Sequence, residues 1–226
     1  MRSLSRQKTL VEQAYRAMLD AICDGTFKPG ERLTQDEIAA RLNVSRQPVM
    51  SALALLKSQG FLQDAGRRGL AVAPIDPARF EAIYQLRSAV EPLAVRLATA
   101  RTTASDAALG RELVEQGKRL AASGDARATL QADVDFHAWV YALSGNPLIA
   151  ETMQLNWQHL RRAMSEVLRR PAMTKAVWEE HGRIVEAMAA GDADRAAQLM
   201  YDHVVVAYRR VRPQLEPDQP TARAAA

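Results

Sequence analysis

The amino-acid sequence predicts a mainly α protein: an N-terminal winged helix-turn-helix followed by an antiparallel all-α bundle of six or seven helices. Three observations carry that expectation. Two short amphipathic segments joined by a tight turn precede a Gly-rich basic hairpin, all before Pro74. Beyond Pro74 and Pro77, apolar residues recur at helical spacing in six long segments with no convincing strand among them. Charge divides at the same place: residues 1–74 hold 11 Lys/Arg against 7 Asp/Glu, and residues 75–226 hold 19 of each, so the whole formal charge of +4 sits in the first third. These breaks give four expected segments: 1–74, a linker at 75–78, a helical domain at 79–212 and a disordered tail at 213–226.

In the first segment, residues 10–24 form an amphipathic helix with Val11, Ala14, Tyr15, Met18, Leu19 and Ile22 inward, ended by Gly25. "FKPGERL" reads as a turn. "TQDE" is a capping box, in which the Thr34 hydroxyl takes a backbone N–H and Glu37 reaches back to the Thr34 backbone. The helix "DEIAARL" stops at Asn43, a residue that tolerates the left-handed conformation. Ser45 then caps "RQPVMSALALLKSQG", where Pro48 is accommodated in the first turn. "FLQDAGRRGLAVA" reads as two short strands around a basic tip, a wing.

That arrangement suits nucleic acid. The first residues of a recognition helix meet base edges, and its free N–H groups favour phosphate. Ser45, Arg46 and Gln47 occupy that end, and Arg and Gln have the donor patterns that read guanine and adenine. Thr34, together with Arg67 and Arg68 at the wing tip, completes a DNA-facing set. The competing reading is a winged helix used for protein contacts.

In the second segment the first helix, 77–100, places Ile83, Leu86, Val90, Leu93 and Leu97 on one stripe. The following helices are expected at 105–123, 125–144, 148–169, 174–190, and from the Asp192 cap to about Pro213. Helical phase then raises a chemical question. Asp133 and His137 lie one turn apart on the face that carries Leu130, Val134 and Tyr141. His181 shares a stripe with Val177, Ile184, Val185 and Met188, and His203 with Ala196, Leu199, Met200, Val204 and Ala207. His159 is out of phase with Met153, Trp157, Leu160, Met164 and Val167. The pair at 133 and 137 is thus a catalytic dyad, half a metal site or a satisfied core hydrogen bond. Three inward imidazoles and a carboxylate at i, i+4 suit a divalent cation: zinc first, with nickel, manganese or iron as alternatives. Burying the same groups unpaired would be costly.

The residues also resemble a known family. "AICDGTFKPGERLTQDEIAARLNVSRQPVMSALALLKSQGFL" followed by "RRGLAV" is similar to the winged helix of the GntR family of bacterial transcription regulators. "LRSAVEPLAVRLA", "DVDFHAWVYALSGNPLI" and "HGRIVEAMAAGDADRAAQLMYDHV" resemble the helical ligand-binding (FCD) domain of its FadR-like branch. The resemblance covers nearly the whole chain. It implies a homodimer on a palindromic DNA operator, a repressor of a catabolic operon, and a metal on Asp133, His137, His181 and His203 that takes a small carboxylic-acid effector. The chain departs from the family at Met50-Ser51, where members usually carry Arg-Glu. A carboxylate effector calls for an arginine. Arg87 is the leading candidate, its alternative being a surface pair with Glu91, and Asn146 either lines the pocket or caps a helix. Arg161, Arg162, Arg169 and Arg170 read as a solvated face, and Trp139, Trp157 and Trp178 as core or interface.

Composition narrows the setting. No apolar run is long enough to span a bilayer, the N-terminus lacks the apolar core of a secretion signal, and Cys23 is alone. The expectation is a cytoplasmic, nucleoid-associated protein with no membrane partner. A metal-dependent hydrolase is the rival function, weakened because no further inward carboxylate or histidine is evident as a general base. A regulator with a purely structural metal is the third.

Overall fold

A computed structural model describes residues 9–66, 69–167 and 171–215. It divides into two compact units, Met1–Ile75 and Asp76–Ala226.

The first unit contains α1 (Leu10–Cys23), β1 (Arg32–Leu33), α2 (Gln35–Leu42), α3 (Arg46–Ser58), β2 (Leu62–Asp64) and β3 (Leu70–Val72). Thr9 and Glu12 form a reciprocal capping box at the start of α1. Asn43 ends α2 at φ 52° and ψ 47°, the only positive φ outside glycine among the described residues, as its short polar side chain permits. The Thr34 cap is half of the expected box: its hydroxyl accepts from Glu37 N at 3.3 Å, but Glu37 accepts from that same hydroxyl at 2.8 Å and does not reach the Thr34 backbone. Ser45 has extended N-cap geometry but makes no side-chain capping bond. The core joins Met18 and Ile22 of α1 to Val49, Leu53 and Leu56 of α3, with Phe61 and Val72 from the sheet side. Tyr15 OH donates to Gln59 Oε1 at 2.6 Å and ties α1 to the end of α3.

The wing has a third strand that the sequence reading missed. The sheet order is β1-β3-β2, all antiparallel, with Arg32 opposite Ala71 and Leu62 opposite Val72. β1 was hidden in "FKPGERL" because two residues cannot show an alternation, and its partner lies far along the chain. Arg32 also donates from Nη2 to the Ala65 carbonyl at 2.7 Å, bracing the hairpin. Arg67 and Arg68 lie outside the described residues.

The second unit contains α4 (Pro77–Thr99), α5 (Ala104–Ser123), α6 (Ala126–Ser144), α7 (Pro147–Val167), α8 (Pro171–Ala189) and α9 (Ala193–Leu215). Caps fix the starts: Asp76 for α4, Thr103 with Asp106 for α5, and Asp125 for α6. Two boundaries differ from expectation. α8 begins at Pro171, three residues early, because proline suits the first helical turn as well as it ends a helix. α9 runs through Pro213 to Leu215, into the stretch expected to be tail. Arg169 and Arg170 lie outside the described residues.

The largest correction concerns α4. Its buried face carries Ile83, Tyr84, Arg87, Glu91, Ala94, Val95 and Ala98, whereas Leu86, Val90 and Leu97 are half-buried and Leu93 is exposed. The helix turns a polar stripe inward and leaves part of its aliphatic stripe at the edge. Two glycines set the approach of α5 to its neighbours. A Cβ at Gly117 would stand 2.2 Å from the Trp178 ring, and one at Gly110 would stand 2.7 Å from Trp139.

Candidate functional site

In the first unit, α3 presents its first turn to solvent. Ser45, Arg46, Gln47 and Met50 are exposed, while Pro48, Val49, Ala52, Leu53 and Leu56 hold the helix against α1 and α2. Thr34 is also exposed, at the mouth of α2. Arg46 Nε lies 2.6 Å from Asp36 Oδ1, both side chains being largely solvent-accessible. In such a setting an ion pair contributes little and exchanges readily with other partners. A concavity bounded by Arg32, Thr34, Asp36, Arg46 and Gly69 runs between the two helix starts and the hairpin.

In the second unit, α6, α8 and α9 bring His137, His181 and His203 together with Asp133. All three imidazoles are buried, and one nitrogen of each lies within 4.8 Å of the others. His181 Nε2 is 3.3 Å from His203 Nε2 and 3.5 Å from Asp133 Oδ1, and His137 Nε2 is 3.9 Å from that oxygen. Asp133 Oδ1 is buried without a hydrogen-bond partner among the described residues. Two ligands bound to one zinc ion at about 2.1 Å each stand at most about 4.2 Å apart, and the 3.3, 3.5 and 3.9 Å separations lie inside that limit. Phe136 stacks on His181 with ring centroids 4.0 Å apart, and Trp178 meets the same ring edge-on at 4.9 Å.

Carboxylates behind two of the rings orient their nitrogens. His203 Nδ1 is 2.9 Å from Glu180 Oε2, and Glu180 Oε1 accepts from Arg210 at 2.7 Å. His137 Nδ1 approaches Glu91 Oε2 to 3.1 Å. Both placements favour the tautomer with the proton on Nδ1, which leaves Nε2 as a lone pair facing inward; the tautomer is inferred from these partners. Burial pushes His181 well below the ordinary imidazole range, and the neighbouring His203 and His137 push the same way. Burial also lowers His203, against the opposing pull of Glu180. Three imidazoles beside a buried carboxylate oxygen form a donor set that matches a divalent cation.

Arg87 stands at the rim of this cluster. Its Nε donates to Glu91 Oε1 at 2.7 Å, and Nη2 lies 3.4 Å from His137 Nε2. The expected surface pair therefore exists, but it is buried, with side-chain exposures of 2% and 0%. The guanidinium is held between the faces of Tyr84 and Trp157, at 4.9 and 4.6 Å from the ring centroids. Glu91 also accepts from Tyr141 OH at 2.7 Å, and Trp157 Nε1 donates to that hydroxyl at 3.2 Å. Burial alone would raise the Glu91 carboxyl, but Arg87 and His137 hold it far below the usual range. Burial raises Tyr84 to about 12, so its hydroxyl stays protonated.

A cavity of about 30 Å³, lined by Tyr84, Arg87, Asp133, Trp178 and His203 among others, adjoins the cluster. One water needs roughly 10–15 Å³ on this measure, and small-molecule sites run to about 300–1,000 Å³. The space therefore suits an ion or a water, and an organic ligand would require its lining to move.

The other expected site residues fall differently. Asn146 accepts from Leu148 N at 3.1 Å at the entry to α7 and is absent from the cavity lining. Its side chain is committed to the turn. His159 stays out of the cluster, 3.0 Å from Arg79. Arg162 is buried, against the expectation of a solvated face. Glu91 and Glu180 overturn the expectation that no further carboxylate faces inward. Glu91 could have been found by placing it four residues from Arg87 and in phase with buried Ala94 and Ala98, and Glu180, unlike Glu179, by its place three residues after Val177 and four before Ile184 at the edge of the inward stripe.

Comparison with known proteins accounts for both units. Residues 10–72 match the family described as bacterial regulatory proteins, gntR family, and residues 82–205 match the FCD domain. The chain is 31% identical over 181 residues to the Nta operon transcriptional regulator of Aminobacter aminovorans, covering 79% of this chain and 83% of that one. Among solved structures, Escherichia coli McbR/YncC superposes with a TM-score of 0.80 at 23% identity, over 93% of this chain and 100% of the other. A putative transcriptional regulator GntR from Rhodococcus sp. RHA1 gives 0.75 at 26% identity, over 91% and 96%. No helix among the described residues is long and apolar enough to cross a membrane. A winged helix-turn-helix followed by a helical FCD domain, matched over most of its length by a named operon regulator, places this chain in the gntR family of bacterial regulatory proteins, as a DNA-binding transcription regulator.

Proposed function

We propose that the chain is a ligand-responsive regulator whose helical domain, residues 79–212, anchors a divalent metal on Asp133, His137, His181 and His203. Zinc suits this donor set best, with nickel, manganese and iron as alternatives. The observation that carries this reading is the convergence of three buried imidazoles on an unpartnered Asp133 oxygen. The metal would supply a Lewis-acidic anchor for a small carboxylic acid. Around it, Tyr84 and Arg87 would orient the acid: both line the cavity, and Arg87 is fixed by Glu91. Arg46 and Gln47 would read bases, and Ser45, Thr34, Arg67 and Arg68 would meet the backbone, in the 1–74 domain. Two copies are needed to span a palindromic operator, so the working unit is a homodimer in the cytoplasm, bound to the nucleoid as a repressor of a catabolic operon.

The test is a gel-shift series with the full-length protein on DNA fragments selected from random duplexes, in the presence of zinc and a panel of small carboxylates. A selected duplex released by one carboxylate, with the response lost after chelation and restored by zinc, is the expected result. Turnover of a carboxylate by a protein that selects no duplex would overturn the reading in favour of a metalloenzyme. Chelation that lowers the melting temperature but leaves the carboxylate response intact would reduce the metal to a structural role.

A further inference from the structure

On the outward side of α3, Met50 is 48% exposed, whereas Met18 in the core of the same unit is 2% exposed. At 100° per residue Met50 projects between Arg46 and Gln47, one turn further along the same face. The rest of that second turn offers little reach. The Ser51 hydroxyl is turned back onto the Gln47 carbonyl at 3.3 Å, and Ala54 is a single methyl. Arg46, in the first turn, lies 2.6 Å from Asp36 on the α2 side. Lys57, two turns further along this face, is drawn to Asp64 at 2.7 Å. Met50 is therefore the long, uncharged side chain that this face extends in its second turn. It carries no charge for a phosphate and no donor for guanine. The one apolar feature that distinguishes a base pair in the major groove is the 5-methyl group of thymine, and a soft, unbranched thioether adapts well to such a surface.

We propose that Met50 is a specificity-determining residue that reads a thymine 5-methyl group in each half-site of the operator. The proposal rests on α3 being the DNA-reading helix and adds the identity of one base contact. Met50 is not among the buried core residues of the head, so its replacement leaves that core intact.

The experiment is a selection from random duplexes by the full-length protein, followed by a scan that replaces each thymine of the selected site with deoxyuridine, which lacks only the methyl group. The expected result is one position per half-site at which uracil weakens wild-type binding about fourfold, the equivalent of roughly 0.8 kcal/mol for one buried methyl-sized group. Met50→Ala should be indifferent to uracil there, and Met50→Arg should shift the preference at that position to guanine. A scan that is flat for the wild type, or equally uneven for wild type and Met50→Ala, would overturn the proposal while leaving DNA reading by α3 intact. Failure to enrich any duplex would remove both. The uracil scan on the wild-type protein needs no variant to fold.

Discussion

Two Arg–carboxylate pairs in this protein have nearly the same length and opposite consequences. Arg46–Asp36 in the head spans 2.6 Å with side-chain exposures of 71% and 65%, and Arg87–Glu91 in the helical unit spans 2.7 Å with exposures of 2% and 0%. In water-like surroundings the first pair contributes under about 1 kcal/mol and can be given up when a phosphate or base edge arrives. The second pair has no water to fall back on, so losing one partner strands the other. Geometry is thus a poor guide to the strength of an ion pair; dielectric surroundings decide. The head keeps its polar groups loosely held, as a surface that must exchange partners requires. The helical unit fixes Arg87, Glu91, Tyr141 and Trp157 in a closed network beside the histidines.

The sharpest way to break the comparison is to remove one carboxylate from each pair. Glu91→Ala leaves the Arg87 guanidinium, the Tyr141 hydroxyl and His137 without their shared partner, and should cost about 3–5 kcal/mol in denaturant unfolding of the helical unit. Asp36→Ala should change stability by less than about 1 kcal/mol in the same measurement. Equal losses would mean that exposure does not set the strength of these pairs.

A smaller effect tests how tightly the walls of the histidine cluster are held. Gly117→Ala drives a methyl into the Trp178 ring, which packs edge-on against His181. Overpacking of this kind costs about 1–3 kcal/mol, more than the ~1 kcal/mol that alanine gains over glycine in a helix. A melting temperature that rose on this substitution would show that Trp178 moves aside easily.

The outer carboxylates offer a finer comparison within the cluster. His203 is backed by Glu180, whereas His181 Nδ1 has no hydrogen-bond partner among the described residues. Glu180→Gln should weaken metal binding about 10–100-fold by competition with a chromogenic chelator, while the far-ultraviolet circular dichroism stays unchanged. An unaltered affinity would mean that Glu180 serves only to hold Arg210. The smallest effects belong to the head. Thr34→Ala should cost about 1 kcal/mol, because its hydroxyl caps α2. Ser45→Ala, whose side chain caps nothing, should cost measurably less in the same unfolding experiment.

Much of this was legible in the chain. The capped helices, the left-handed stop at Asn43 and the inward phase of Asp133, His137, His181 and His203 all follow from local rules of spacing. What stayed hidden depends on partners distant in sequence. β1 exists only because β3 lies beside it. The inward face of α4 was misread because periodicity counts aliphatic residues, and here Arg87 and Glu91 are buried through contacts to α6 and α7 that no window on α4 contains. Asn146 shows the converse: a polar residue near the site in sequence was committed to the turn it sits in.

The central claim is that the four inward ligands hold one metal. Elemental analysis of the purified full-length protein by plasma mass spectrometry tests it directly, with His137→Ala and His203→Ala alongside. The account predicts about one divalent transition-metal ion per wild-type chain and a clear loss of that metal in both variants, each still helical by circular dichroism. Metal retained at the wild-type level in both folded variants would contradict it.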